Sequence, residues 1–304
     1  MQKTGYYRKS GELFLQNLSL KKLVDRYETP TFVYDSNLIK NSFYMLKKIM
    51  DPLNGKIHFA VKSNDNLGVI KYINSLGAGA DVVSIGELKR CLKVSVKPKD
   101  IIFSGVGKQK DEIEFAINKN IKQLNAESIE ELKDIIEISK NIKKKVNVAL
   151  RVNLDINAKT HKKISTGDEN SKFGIIYDDI VHAYKLINDA SFINPYGLAI
   201  HVGSQLFDYD VFFQTFSKIK NLAVELKNLG YEVNHLDLGG GFGVDYTMKN
   251  SLNYKSFSKA LNEVFKNNEF QLSIEPGRSL IAESGVLLTK VIRTKSTNSK
   301  NFLI

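Results

Sequence analysis

The chain of 304 residues contains one cysteine, five prolines and no tryptophan. A single cysteine, Cys91, excludes an intrachain disulfide and a zinc site built from several cysteines, as is typical of proteins in a reducing compartment. The sequence also lacks an apolar run of membrane-spanning length, and residues 1–14 carry charges and glycines where a signal peptide needs an unbroken apolar stretch. We therefore expect a cytoplasmic protein with no membrane partner.

Acidic residues are in the minority, since 44 lysines and arginines stand against 33 aspartates and glutamates, giving a formal net charge of +11. Only Lys143-Lys144-Lys145 forms a basic run, and the other basic residues are spread over segments with a helical pattern. A dispersed excess of charge favours a solvated surface over a nucleic-acid site. We expect no nucleic-acid partner.

Short apolar runs alternate with longer amphipathic segments, which predicts strands and helices in turn. The predicted strands are Ile57–Val61, Ala80–Val83, Ile101–Phe103, Ile121–Leu124, Val146–Val152, Gly197–Val202, Val233–Leu238 and Leu272–Glu275. The predicted helices are Asn66–Leu76, Ile85–Val94, Gln109–Asn118, Ser128–Lys140, Tyr177–Ala190, Tyr209–Leu229 and Tyr254–Asn267. Regular alternation predicts a parallel sheet, and eight repeats favour its closure into a (β/α)8 TIM-type barrel. An open doubly wound sheet is the alternative.

The two ends of the chain depart from this alternation. A strand at Thr31–Tyr34 is predicted to lead into a helix at Asn37–Met50, and strands are predicted at Gly285–Arg293 and Phe302–Ile304 with no helix between them. We expect the ends to form the beginnings of a separate β domain. The predicted division is 1–35 for the N-terminal segment, 36–284 for the barrel and 285–304 for the start of the C-terminal β domain.

Polar residues stand at the ends of several predicted strands, where the chemistry of such barrels is located. Lys62 directly follows the first strand, and an amine withdrawn from water there has a lowered pKa and can form a Schiff base with a carbonyl. Asp81, Arg151, His201 and Glu275 stand at the ends of other strands. Each of them could be a structural residue whose polar atoms are hydrogen-bonded within the fold. Their common position on one rim favours a functional site.

Glycines dominate the loop after the seventh predicted strand, Gly239-Gly240-Gly241-Phe242-Gly243, and the eighth strand ends in Glu275-Pro276-Gly277-Arg278. Glycine lets backbone N–H groups approach a ligand closely, and barrels of this type often hold phosphate in these two loops. The loop matches neither the GxGxxG rule nor the P-loop. We predict a phosphate site here.

An amine, a phosphate site, an imidazole and a carboxylate on one rim together suit pyridoxal 5'-phosphate (PLP). Its aldehyde needs the amine of Lys62, its phosphate needs the glycines, and its pyridine nitrogen needs a carboxylate, for which Glu275 is the candidate. Arg151 is predicted to orient that carboxylate.

Five segments, in matching order along nearly the whole chain, resemble the fold-type III PLP-dependent decarboxylases, which share the alanine racemase-like barrel. The segments are Phe59–Asn64, Gly79–Glu87, His201–Gln205, Gly239–Gly243 and Glu275–Arg278. Gln205 and the segments Ala158–Gly167 and Ser171–Ile175 resemble the branch that decarboxylates meso-2,6-diaminopimelate to L-lysine and CO2.

The resemblance implies a role for each residue of the site. Lys62 would bond to the cofactor aldehyde, His201 would stack on its ring and Glu275 would pair with its pyridine nitrogen, so these three form the predicted catalytic set. Residues implied at or beside the phosphate are Ser204, Gly240, Gly241, Gly277 and Arg278. Arg278 is also implied at a substrate carboxylate, while Asp81 would support the cofactor.

Members of this family continue into a C-terminal β domain that completes the site partly across a dimer interface, whereas this sequence stops at Ile304. The resemblance therefore implies a homodimer for the full-length form. Two alternatives stay open: a related decarboxylase for ornithine, arginine or carboxynorspermidine, and a shortened homologue that binds PLP without catalysis. The presence of Lys62, His201 and Glu275 together counts against the second.

Overall fold

The middle of the chain alternates between strand and helix. A computed structural model describes residues 5–156, 171–246, 254–267 and 269–304. The described strands are β1 (Tyr6–Lys9), β2 (Glu12–Leu15), β3 (Leu18–Ser19), β4 (Thr31–Tyr34), β5 (Lys56–Ala60), β6 (Gly79–Val82), β7 (Ile101–Phe103), β8 (Gln123–Ala126), β9 (Val146–Asn153), β10 (Ile175–Ile176), β11 (Ile193–Ala199), β12 (His235–Asp237), β13 (Gln271–Ile274), β14 (Gly285–Leu288), β15 (Thr294–Ser296) and β16 (Asn301–Leu303). The described helices are α1 (Leu20–Tyr27), α2 (Ser36–Met50), α3 (Leu67–Ser75), α4 (Ile85–Lys93), α5 (Lys110–Asn118), α6 (Ile129–Ile142), α7 (Ile180–Asn188), α8 (Tyr209–Asn228), α9 (Lys255–Phe265) and α10 (Arg278–Ile281).

Eight parallel strands close into a barrel. Their order is β5-β6-β7-β8-β9-β11-β12-β13, and β13 pairs with β5 to close the ring. The short strand β10 lies outside the ring and pairs with β9. The predicted (β/α)8 barrel is confirmed, and the alternative of an open doubly wound sheet is wrong.

Two strands lie elsewhere than predicted. β8 begins at Gln123, two residues after the predicted Ile121, because Ile121 fills an apolar position in the preceding turn, where its N–H bonds to the carbonyl of Ala116. β11 begins at Ile193 and ends at Ala199, whereas Gly197–Val202 was predicted. The start of this strand was not predicted because Pro195 is unusual within a strand, and the register of the pairing with β9 shifts just after this proline.

The barrel interior is unusually polar. In β5, Ile57 and Phe59 belong to the apolar cluster between strands and helices, so the alternate residue His58 faces the barrel axis. The same alternation places a series of buried polar residues inside the barrel. They are His58, Asp81, Gln123, Asn125, Arg151, His235, Asp237, Ser273 and Glu275. Barrels of this fold are more often filled with branched apolar side chains.

Side-chain caps fix the points where helices leave the rim. The hydroxyl of Ser128 accepts the N–H of Glu131 at 3.1 Å, which confirms the predicted start of α6. Ser84 caps α4 in the same way through the N–H of Glu87 at 3.3 Å. Each cap lies two residues after the end of a strand, so the loops on this part of the rim are short.

The chain ends form small sheets outside the barrel. Strand β4 pairs antiparallel with β14, so Tyr34 lies opposite Gly285 and joins the two ends of the chain. The strand predicted at Gly285–Arg293 ends at Leu288, and β15 forms a hairpin with β16. The antiparallel sheet β1-β2-β3 and the helix α1 were not predicted. Within the described ranges, the search for a helix that could cross a membrane finds none.

Candidate active site

Lys62 lies in a turn of 3-10 helix, Val61–Ser63, directly after β5. The hydroxyl of Ser63 donates to the carbonyl of Ala60 at 2.8 Å, which fixes this turn at the rim. The Lys62 ammonium donates to Oδ2 of Asp81 at 3.4 Å. These two residues come together because β5 and β6 are neighbours, with Ala60 opposite Asp81.

The charges around Lys62 decide its protonation. Desolvation alone would lower the pKa of Lys62, but the carboxylates of Asp81 and Glu275 raise it by more, and the net result is a pKa above the ordinary value. The expectation of a lowered pKa is therefore wrong for the protein without a ligand, because two buried carboxylates surround the amine.

His201 is a neutral imidazole held by the glycine loop. Burial, followed by the positive charges of Lys62 and Arg151, lowers its pKa well below the ordinary value. The backbone N–H of Gly240 donates to Nδ1 of His201 at 3.3 Å. Because Nδ1 accepts this bond, the ring proton of the neutral histidine lies on Nε2.

Glu275 directly follows β13, and its side chain is buried in the barrel. Its backbone N–H donates to the carbonyl of Gly239 at 2.7 Å, and its side chain lies beside that of Asp237 on the neighbouring strand. Burial, with the charges of Asp237 and Asp81, raises the pKa of Glu275 well above its usual range. Within the described chain, its atom Oε1 has no hydrogen-bond partner.

At Gly240 and Gly241 the glycine loop passes too close to neighbouring backbone for a side chain to fit. A Cβ on Gly240 would run into the carbonyl of Glu275, and one on Gly241 would run into that of Gly203. Gly241 also has a φ of 87°, which disfavours other residues. Gln205 ties this loop to the loop after β11, since Val244 N–H donates to Oε1 at 2.8 Å and Nε2 donates to the Val244 carbonyl at 3.1 Å.

Most of the predicted residues line one cavity of about 250 Å³ on the rim. They are Lys62, His201, Ser204, Gly241, Glu275, Gly277 and Arg278. An adjoining cavity of about 500 Å³ shares four of these residues and adds Arg151 and Phe173. Asp81 and Gly240 do not line either cavity. Asp81 supports Lys62, and the Gly240 N–H is committed to His201.

Arg151 makes a buried ion pair that was not predicted. Its Nη1 lies 2.7 Å from Oε1 of Glu127, which also accepts the N–H of Gly105 at 2.7 Å. The guanidinium lies 4.9 Å from the ring centre of Phe173. The ion-pair partner of Arg151 within the described chain is therefore Glu127, and the prediction that Arg151 orients Glu275 is wrong.

A separate cavity of about 440 Å³ opens at the other end of the barrel, where the strands begin. Its lining includes Lys56, His58 and Lys122, and the Lys122 ammonium lies 3.3 Å from Nε2 of His58. None of the predicted site residues lines it.

A family model, the pyridoxal binding domain of pyridoxal-dependent decarboxylases, matches residues 36–282. The diaminopimelate decarboxylase of Helicobacter pylori strain J99 is 37% identical over 284 residues, which cover 93% of this chain and 70% of that protein. The chain belongs to the diaminopimelate decarboxylases of this pyridoxal-dependent family.

Solved structures agree with this membership. The crystal structure of diaminopimelate decarboxylase from Helicobacter pylori complexed with L-lysine has a TM-score of 0.89 and 36% identity, covering 93% of this chain and 72% of that one. The enzyme from M. jannaschii in complex with L-lysine has a TM-score of 0.91 and 33% identity, covering 99% of this chain and 73% of that one. The segment 158–167, which suggested this branch, lies outside the described residues.

The residues of the rim fit the pyridoxal cofactor of the family. The cavity holds an amine for an aldehyde, the buried carboxyl group of Glu275 for a ring nitrogen, and a loop whose glycines leave its backbone uncovered for a phosphate. Arg278 adds a cation to the same cavity. Glu127, Phe173 and Asp237 were not assigned to the site from the sequence. Glu127 directly follows β8 in the structure, but the strand predicted from the sequence ends three residues earlier, at Leu124.

Proposed function

We propose that the chain catalyses the PLP-dependent decarboxylation of meso-2,6-diaminopimelate to L-lysine and CO2. The observation that carries the proposal is the convergence of Lys62, His201 and Glu275 on one cavity beside the glycine loop. The names of the relatives and the L-lysine in two solved relatives support the choice of substrate.

The chain would hold the cofactor at four points: its aldehyde, its ring nitrogen, the face of its ring and its phosphate. Lys62 would hold the aldehyde through Nζ, Glu275 would face the ring nitrogen, and His201 would lie against the ring. The N–H groups of the loop around Gly241, with Ser204, Gly277 and Arg278, would hold the phosphate. When bound, the cofactor supplies an electron sink for the bond to the departing carboxylate.

The protein contributes position, charge and exclusion of water. The 3-10 turn fixes Lys62, Asp81 fixes its ammonium, and the Gly240 N–H fixes the orientation of His201. Because these groups are already in position, less entropy is lost on reaching the transition state. The exposed Arg278 lies at the mouth of the cavity and would bind a substrate carboxylate as well as the phosphate.

Covalent trapping tests the assignment of Lys62. The protein is incubated with PLP, reduced with borohydride, digested and examined by mass spectrometry for modified lysines. We expect the label on Lys62 and its loss in Lys62→Ala, while Lys56→Ala, a change at the start of the same strand, keeps it. A label on another lysine in the folded wild-type protein contradicts the assignment.

Release of CO2 tests the substrate. With PLP present, we expect release from meso-2,6-diaminopimelate to exceed release from ornithine and from arginine. Equal or faster release from either of those would favour the related decarboxylases instead.

We propose three further properties. A cytoplasmic location is supported by the single cysteine, a homodimer by the resemblance, and the division of the chain into 1–35, 36–284 and 285–304 by the limits of the strand–helix alternation. Analytical ultracentrifugation of the full-length protein tests the dimer, and a monomer at all concentrations contradicts it.

A further inference from the structure

Asp237 is a buried carboxyl group beside the predicted catalytic set. It is the last residue of β12 and is fully buried. Its Oδ1 accepts the N–H of Gly239 at 3.1 Å, which holds the start of the glycine loop. Its side chain also lies beside that of Glu275, which follows the neighbouring strand β13, so the two carboxyl groups can form a hydrogen bond if one of them carries a proton.

A hydrogen bond between two carboxyl groups requires a proton. An ionised carboxylate has only acceptor atoms, so two ionised groups cannot bond to each other. Neither Asp237 Oδ2 nor Glu275 Oε1 has a hydrogen-bond partner among the described residues. One shared proton supplies the donor that the pair lacks.

The charges that face the pair favour the same state. A third carboxylate, Asp81, approaches from β6, while Lys62 and Lys122 are the ammonium groups that act on the pair. His201, on the same rim, is neutral. One proton on the pair leaves two carboxylates opposite two ammonium groups, whereas full ionisation leaves three negative charges buried together, at a high cost.

We propose that Asp237 and Glu275 share one proton at neutral pH, and that Asp237 is thereby the positioning residue that holds Glu275 toward the cavity. The statement that Glu275 faces a ring nitrogen rests on the proposed function. The shared proton does not, because it belongs to the protein before any cofactor binds.

The chain offers a close mimic of the proposed state. In Asp237→Asn, Oδ1 can still accept the Gly239 N–H, and Nδ2 can donate to Glu275 as the protonated pair does. Asparagine carries no negative charge, so Glu275 no longer needs the proton and ionises. Asp237→Ala removes both hydrogen bonds and leaves Glu275 unsupported.

Infrared spectroscopy of the protein without PLP tests the shared proton. At pH 7 we expect the C=O stretch of a protonated carboxyl group in the wild type, and its loss in both Asp237→Asn and Glu275→Gln. Glu131→Gln is the control and keeps the band, because Glu131 is another buried carboxyl group with a raised pKa, paired with Lys108. Absence of the band in the wild type, its persistence in Asp237→Asn, or its loss in Glu131→Gln overturns the proposal.

PLP binding tests the positioning role. We expect the affinity for PLP to fall about tenfold in Asp237→Ala, as for one lost hydrogen bond to a charged group, and to stay near that of the wild type in Asp237→Asn. Equal loss in both variants overturns the positioning role. Circular dichroism checks folding, and Glu275→Gln keeps the infrared test valid if the Asp237 variants unfold. A wild type that shows the band but binds no PLP contradicts the proposed function and leaves the shared proton standing.

Discussion

The ammonium of Lys62 lies near two buried carboxyl groups. Asp81, 3.4 Å away, and Glu275 both raise its pKa against the effect of desolvation. An amine attacks a carbonyl only when it is unprotonated, so these carboxylates hold the lysine in place at the expense of its reactivity. A neighbouring carboxyl group that carries its own proton, as proposed for Glu275, weakens this effect.

Removal of the Asp81 charge is expected to make Lys62 reactive at lower pH. Asp81 raises the pKa of Lys62, so Asp81→Asn lowers that pKa and increases the fraction of free amine at a given pH. The measurement is the rate of labelling of Lys62 by pyridoxal and borohydride as a function of pH. Asp65→Asn is the control, since Asp65 pairs with the exposed Arg90 at 3.2 Å, and it leaves the profile unchanged. A profile shifted to higher pH in Asp81→Asn contradicts the prediction.

The buried pair of Arg151 and Glu127 is expected to matter for stability. Glu127→Gln leaves a buried guanidinium without its counter-charge, which costs about 3–5 kcal/mol of the free energy of unfolding. The exposed pair of Lys47 and Asp51 is a matched control, and Asp51→Asn there costs about 0–1 kcal/mol. Urea unfolding measures both. Similar losses in the two variants show that the buried pair adds no more than a surface pair.

Three loops act together at the rim. The loop after β11 is joined to the glycine loop by Gln205 and by the hydrogen bond from Leu206 N–H to the Gly241 carbonyl at 2.9 Å. The glycine loop is joined to the end of β13 by the bond between Glu275 N–H and the Gly239 carbonyl. A shift in one loop therefore moves the residues of the other two.

A side chain at Gly241 is expected to displace this assembly. In Gly241→Ala the new Cβ meets the Gly203 carbonyl, and the positive φ adds strain, so we expect a loss of about 1–3 kcal/mol in the free energy of unfolding. PLP affinity falls as well, because the loop and Ser204 move. Gly86→Ala is the control: the glycine lies in α4, its nearest contact is 3.7 Å away, and the change is neutral or stabilising. A Gly241→Ala protein with wild-type stability and affinity contradicts the prediction.

The alternation of strands and helices was predictable because each element has its own apolar period, and most of the site followed from positions at strand ends. The elements that were missed carry weak or misleading patterns. Pro195 is unusual within a strand, so the start of β11 was not predicted. The apolar Ile121 led to a predicted β8 that begins two residues too early, and Glu127 therefore did not follow the end of a predicted strand. Asp237 lies inside a predicted strand, where only the packing of β12 against β13 shows that it meets Glu275.

Across the whole barrel, buried histidines dominate the expected response to acid. His58 and His235 are buried and His201 is half-buried, and desolvation is the first cause that lowers the pKa of each well below the ordinary value. Below about pH 6.5 these histidines are protonated in the unfolded chain but stay neutral in the folded protein. The free energy of unfolding therefore falls as the pH falls. Glu275 and Asp237 act in the opposite direction. Their raised pKa values favour the folded protein in acid, and this contribution is lost as the pH rises through those values.

A single substitution separates the histidine effect from the rest. His235 lies near the start of β12, where its ring centre is 5.1 Å from that of Tyr196. In His235→Gln one proton fewer is taken up on unfolding, so the fall in unfolding free energy between pH 6 and pH 5 is expected to shrink by about 1.4 kcal/mol per pH unit. Tyr196→Phe changes the same ring contact without removing a histidine and keeps the wild-type slope. Urea unfolding at several pH values measures the slopes, and an unchanged slope in His235→Gln means that His235 takes up its proton in the folded barrel.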